Sequence, residues 1–560
     1  MAYDIKITGG TIMDGTGAKG YAGDVGIKDG KVVALGNAPE DADKVIDATG
    51  KVVCPGFVDI HTHYDAQVMW DRMLTISPWH GVTTVVTGNC GFTVAPTRDA
   101  HRDLIMRTLE NVEGMSVEAL RSGLGETWPF ETFPEYLDAI EKTGTAINVA
   151  ALIGHTAVRM YVMGEESTER EATDEEVAQM KRIVADAIEA GALGFATSKA
   201  FTHVGYEGRP VPSRLASFDE IREIASALGE AGKGMIQATV GENLSFNEFA
   251  TLYQDNKCNV SWTALLGGGG LGFGSAMDQL KRSAELVEQG NKVYPQVTCR
   301  PLNFELQLKA PFIFESSPVF KPVSEAPTVE AKMAVYDSAE FRAAFKEMLK
   351  AGLGAIWQNA VITYCPSEPA LEERLVYEVA EERGVHPGDL SIDLSLRDKL
   401  EVRFRIPVAN SNEDEVETLL TDPNTVLGLS DAGAHASQLC DACFSTHLLS
   451  RWVRERKAMS LEEAVRMLTS RPAEVFAIKD RGLLAEGKPA DVVVFDPDTV
   501  GTSGLKRVYD FPGGADRLVA EAYGIDAVVV NGVLLREGDK DMIDINGNLP
   551  GKLLRNGQAA

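Results

Sequence analysis

Two hydrophobic periods divide this chain. Near the N-terminus, apolar and polar residues alternate in short runs: Asp4-Ile5-Lys6-Ile7, Asp24-Val25-Gly26-Ile27, Lys31-Val32-Val33-Ala34-Leu35 and Val45-Ile46-Asp47. Gly9-Gly10, Asp29-Gly30 and Thr49-Gly50 punctuate them. A two-residue period broken by glycine turns predicts the hairpins of a small β-sheet. So few strands need others to close a core. Ala490-Asp491-Val492-Val493-Val494-Phe495 and the run 525–533 carry the same chemistry near the other end. Both termini are therefore expected to build one β-sandwich, 1–55 with 479–560, around a domain inserted at 56–478.

Within that insert, continuous apolar runs alternate with helical patterns. Strands are expected at 83–87, 146–153, 192–197, 235–239, 260–265, 292–297 and 426–430. The opening stretch, Pro55-Gly56-Phe57-Val58-Asp59-Ile60-His61-Thr62-His63, makes the eighth. Amphipathic helices such as 174–189 and 218–231 lie between them. Strands alternating with helices imply parallel βαβ units. Eight of them predict the α/β class and a (β/α)8 TIM-like barrel. The stretch at about 300–425 is too long for one crossover and is expected to be an insertion over the barrel mouth.

The opening strand ends in His61-Thr62-His63. Alternate residues of a strand share a face, so both imidazoles leave on one side, about 7 Å apart along the chain. Neutral imidazole is the commonest metal ligand. In such a barrel the chemistry sits where the strands end. Cys90 passes that test at the second strand, His155 at the third and Asp431 at the eighth, and Lys199 lies just past the fourth. Arg300, after the seventh strand, and Arg159 are candidate anchors for a substrate carboxylate, because guanidinium grips carboxylate as a fork. His435 is expected to cap a local turn or line the mouth.

Charge and cysteine content narrow the partners. The net charge of −28 argues against nucleic acid and anionic membranes. There is no basic, apolar leader and no apolar run long enough to span a bilayer. Seven scattered cysteines suit a reducing cytoplasm better than a disulfide framework. The expected partner is a small molecule, and self-association into a homo-oligomer is left open.

Taken in order, the motifs resemble the amidohydrolase superfamily, and within it the D-aminoacylase-like group of N-acyl-D-amino-acid deacylases. The markers are Gly-Phe-Val-Asp-Ile-His-Thr-His at 56–63, Asn89-Cys90-Gly91, Gly154-His155-Thr156, Ser430-Asp431-Ala432-Gly433-Ala434-His435 and Gly482-Leu483-Leu484-Ala485-Glu486-Gly487. The resemblance implies a metal-dependent hydrolase. It implies that His61, His63 and Asp431 hold a divalent ion, with Cys90 as a further ligand. The family's remaining ligands are histidines ending strands five and six, and here Thr239 and Thr263 stand there. Hydroxyls are poor zinc donors. One Zn2+ is therefore expected rather than two.

The expected reaction is hydrolysis of a linear amide C–N bond in a small N-acylated, amino-acid-like substrate. Asp431 serves as general acid/base and His155 contacts the substrate or the oxyanion. The alternatives weighed are a lactonase, hydratase or decarboxylase on the same barrel, or a non-catalytic binder. Cys440-Asp441-Ala442-Cys443 has no second CxxC pair and reads as packing. Gly267-Gly268-Gly269-Gly270 lacks the residues of a phosphate loop and reads as a rim loop.

Overall fold

The computed structural model of the chain describes residues 2–268, 274–311, 314, 317–350 and 352–559. Gly269 and Gly270 of the glycine run lie outside them. Eight parallel strands stand side by side in chain order. They are β1 (Phe57–Asp59), β2 (Val82–Thr87), β3 (Asn148–Gly154), β4 (Gly194–Ser198), β5 (Met235–Thr239), β6 (Val260–Thr263), β7 (Val293–Val297) and β8 (Val426–Leu427). Nearly every residue in them is buried, which is why they read as unbroken apolar runs.

Helices cover the strands. Those that matter for the site are α1 (Arg102–Glu113), α2 (His155–Met163), α3 (Asp174–Ala190) and α4 (Phe218–Ala231). The sequence fixes the ends of α3: Thr173 and Glu176 form a capping box, and Gly191 ends the helix at φ 116°, where a side chain would be strained. Met180, Val184, Ala187 and Ile188 form its buried stripe.

The ring closes just beyond the strand ends. Thr62 and Ala432 form a parallel bridge between the ends of β1 and β8. The Asp431 N–H donates to the His61 carbonyl (3.1 Å), and the His63 N–H donates to the Ala432 carbonyl (2.7 Å). The seam that completes the barrel thus sets the two histidines beside the aspartate.

The termini share one nine-stranded sheet. Val52–Pro55 pairs with Val492–Phe495, joining the N-terminal strands to Ile525–Val530 and Val533–Glu537. Ile7, Val25, Val53, Val492, Val494 and Val529 lie in its core. Gly9-Gly10 differs from expectation. It is an irregularity inside the continuous strand Tyr3–Ile12 and not a turn. A Cβ at Gly10 would come within 2.5 Å of the Val53 side chain, and Gly9 has φ 71°.

Pro301–Glu413 with Ser437–Leu439 form a second compact unit. It has a four-stranded antiparallel sheet and an aromatic core including Phe320, Tyr336, Phe345, Trp357 and Phe404. Among the described residues no helix is long and apolar enough to cross a membrane.

Candidate active site

Each site histidine has a buried polar neighbour behind it. His61 Nδ1 meets Gln296 Oε1 at 2.7 Å, while the Gln296 amide donates to Ser261 (3.1 Å). Gln296 therefore accepts, the His61 proton sits on Nδ1, and the bare Nε2 faces the cavity. That Nε2 lies 3.2 Å from Asp431 Oδ1 and 3.5 Å from the Cys90 sulfur. His63 Nε2 is 3.8 Å from the same Asp431 oxygen. On its other side, His63 Nδ1 lies 3.3 Å from Glu113 Oε1, off the direction of a hydrogen bond, and is otherwise unpartnered.

Burial holds both imidazoles neutral. It takes the His61 pKa down to about 4 and that of His63 well below its usual value, with His61, His435 and His203 adding to the second shift. Burial raises Asp431 to about 7. A lone pair and a carboxylate oxygen 3.2 Å apart repel unless a proton or a cation lies between them. The donor set of His61, His63, Asp431 and Cys90 fits a divalent ion, since imidazole nitrogen, carboxylate oxygen and thiolate are all zinc ligands. The donor atoms of His61, His63 and Cys90 lie within 4.8 Å of one another.

Cys90 reaches this place through a tight turn after β2. Gly88 (φ 87°) packs so close to the Leu152 carbonyl that a Cβ would come within 2.2 Å. Cys90 itself is left-handed, at φ 56°. Its N–H donates to Gln237 Oε1 (2.7 Å). Thr239 and Thr263 end β5 and β6. The Thr263 hydroxyl donates to Thr239 (3.1 Å), and both hydroxyls meet the Cys90 thiol. Burial, then Glu113, pushes that thiol's pKa up. A thiol–hydroxyl cluster therefore stands where the resemblance implies an imidazole pair.

The other candidates are held by partners of their own. His155 is fully buried. Its Nε2 meets Glu220 at 2.9 Å and its Nδ1 meets Thr197 at 2.8 Å. Arg159 pairs with the same Glu220 at 2.5 Å. Both ring nitrogens and the guanidinium are thus engaged in the barrel wall rather than at His61 and His63. Removing one member of such a buried pair typically costs about 3–5 kcal/mol. Arg300 Nε donates to buried Asp441 at 2.6 Å. Lys199 Nζ donates to the Arg214 and Ala216 carbonyls at 2.5 and 2.6 Å. The His435 N–H donates to the Glu113 carbonyl. Cys440 and Cys443 are buried free thiols.

Gln237, Gln296, Asp59 and Glu113 escaped the sequence reading. The glutamines had a signal: each is a lone amide inside an apolar strand. Asp59 precedes His61 by two residues, accepts from Ser430 (2.6 Å) and so ties β1 to the seam. Glu113 had none, because it ends a helix far from His63 in sequence.

A cluster of metal-donor side chains at the closing seam of a (β/α)8 barrel defines a metal-dependent hydrolase class. The model of the amidohydrolase family matches residues 44–535, and the chain belongs to that family. It is 29% identical to a D-aminoacylase of Alcaligenes xylosoxydans xylosoxydans, over 95% of this chain and 94% of that protein. Among solved structures it resembles the N-acyl-D-glutamate deacylase of Bordetella bronchiseptica, complexed with zinc and a phosphonate mimic of the tetrahedral intermediate. The TM-score is 0.66 at 26% identity, covering 99% and 100% of the two chains. A D-aminoacylase described as having a binuclear metal centre matches with TM-score 0.67 and 26% identity, over 99% and 100%.

Proposed function

We propose that this protein hydrolyses a linear amide bond of a small N-acylated amino acid, using one zinc ion held by His61, His63 and Asp431. The observation that carries this reading is the convergence of His61 Nε2 and His63 Nε2 on one oxygen of Asp431. The Cys90 sulfur completes the donor set. The hydroxyls of Thr239 and Thr263, in place of imidazoles, support one ion rather than two.

When bound, the ion polarises the scissile carbonyl and acidifies water. Gln296 fixes the His61 imidazole, and Glu113 stands behind that of His63. Asp431, a carboxylate at neutral pH and above, takes the proton of the attacking water and returns it to the leaving nitrogen. Glu220 holds His155 and Arg159 in a supporting brace behind β4, and Asp441 holds Arg300 beside the seam.

The test is an assay of zinc-loaded protein on N-acetyl amino acids of both chiralities, with γ-lactones alongside. Amine release that stops with a chelator and returns with zinc is expected. Lactone turnover without amide turnover, or amide turnover in chelated protein, would contradict it.

A further inference from the structure

Three of the cations near the strand ends are already engaged: Arg159 by Glu220, Arg300 by Asp441 and Lys199 by two carbonyls. None is left to take a substrate carboxylate. The loop after β4 offers another. There Ser198 Oγ accepts from the Ala200 N–H (3.2 Å) and meets His203 Nδ1 at 2.6 Å. The Ser198 hydroxyl thus holds the His203 ring through Nδ1. The His203 ring packs edge-on against Phe92, two residues past Cys90, at 5.0 Å between centroids.

The loop is built to hold its shape. Val204 bridges Pro210, and the Gly205 N–H donates to the Arg209 carbonyl (2.7 Å). The turn Pro212–Leu215 then returns Arg214, whose Nη1 donates to the His203 carbonyl at 3.1 Å. The Lys199 ammonium clamps this turn through the Arg214 carbonyl. The Arg214 guanidinium is half-buried and has no carboxylate within 4.0 Å among the described residues. One of its five donors is spent on the His203 carbonyl. A partly desolvated guanidinium with no ion pair within 4.0 Å, Glu242 acting on it only through space, beside His203 and the turn that carries Phe92 and Cys90, suits a carboxylate.

Resting on the amide-hydrolase reading, we infer that Arg214, with His203 beside it, binds the carboxylate of the N-acyl amino acid, so the substrate is an anion rather than a simple amide. Lys199 is then a positioning residue, holding the turn that presents Arg214.

The experiment compares racemic N-acetyl-leucine with N-isopentylacetamide, the same amide without its carboxylate, on zinc-loaded wild type, Arg214→Gln and Arg214→Lys. KM is read from hydrolysis, and affinity from calorimetry. Arg214→Gln should weaken the acid by ~10-fold or more, the scale of a charge-assisted pair, and leave N-isopentylacetamide unchanged. Arg214→Lys should recover part of the loss and, keeping the charge, guards against a folding artefact. Equal affinity of wild type for the two probes, binding of neither, or an Arg214→Gln effect below twofold would overturn the inference. If the acid binds in an Arg214-dependent way without being hydrolysed, the hydrolase reading falls and the subsite stands. If it is hydrolysed with no dependence on Arg214, only the subsite falls.

Discussion

His61 Nε2 stands 3.2 Å from Asp431 Oδ1 across the seam between the first and last barrel strands. Both atoms are acceptors once Gln296 has fixed the His61 tautomer and Asp431 has ionised. A proton satisfies the pair at low pH, and a divalent cation satisfies it at higher pH. Metal affinity, acid–base chemistry and pH dependence all follow from this contact.

The first consequence concerns pH. Burial raises Asp431 to about 7, while His61, at about 4, is already neutral above pH 5. Below pH 7 the ion must displace the Asp431 proton, which adds about tenfold per pH unit to the rise of zinc affinity up to about 7 and nothing beyond it, so the slope should fall by about one there while loss of the Cys90 thiol proton keeps affinity rising. Competition against a chromophoric chelator between pH 5.5 and 8.5 measures this. A flat profile below pH 7 would exclude Asp431 as the competing acid.

Asp431→Asn removes the proton carrier and keeps the shape. Turnover should fall at least ~100-fold, the scale of lost general acid–base catalysis, while zinc stays bound at saturating metal. Steady-state kinetics beside metal analysis of the same sample checks both halves. Near wild-type turnover would assign the proton to another group.

Glu113 stands behind His63 at 3.3 Å, and burial followed by Asp431 raises its pKa well above the usual carboxylate value. A carboxyl group this close to a ligand imidazole can take up its N–H when the ion binds and so tune its basicity. Glu113→Gln should weaken zinc binding ~10- to 100-fold with an unchanged circular dichroism spectrum. Unchanged affinity would make Glu113 a packing residue only.

The barrel was legible in the sequence because its strands are buried on both faces and its helices carry clear stripes and caps. The helix at 218–231 and the strand at 235–239 end where their patterns end. His61, His63, Cys90 and Asp431 were legible because each follows a strand end. His155 passed the same positional test, and Arg159 and Arg300 were expected to anchor a substrate carboxylate, yet the structure gives each a buried partner. Position along the chain says where a side chain starts, and pairing says whether it is free. Glu220, Asp441 and Glu113 come from other elements, so no local pattern announced them. Gly9-Gly10 misled because glycine also serves where a strand passes too close to a neighbour for any side chain.

Metal stoichiometry tests the central claim most directly. Purified wild type dialysed against zinc and analysed by plasma mass spectrometry should hold one ion per chain, and His61→Ala with His63→Ala should hold none. Restoring imidazoles at the neighbouring position, Thr239→His with Thr263→His, should bring the count to two. Two ions in the wild type, or an undiminished ion in the histidine double variant, would contradict a single site at the seam.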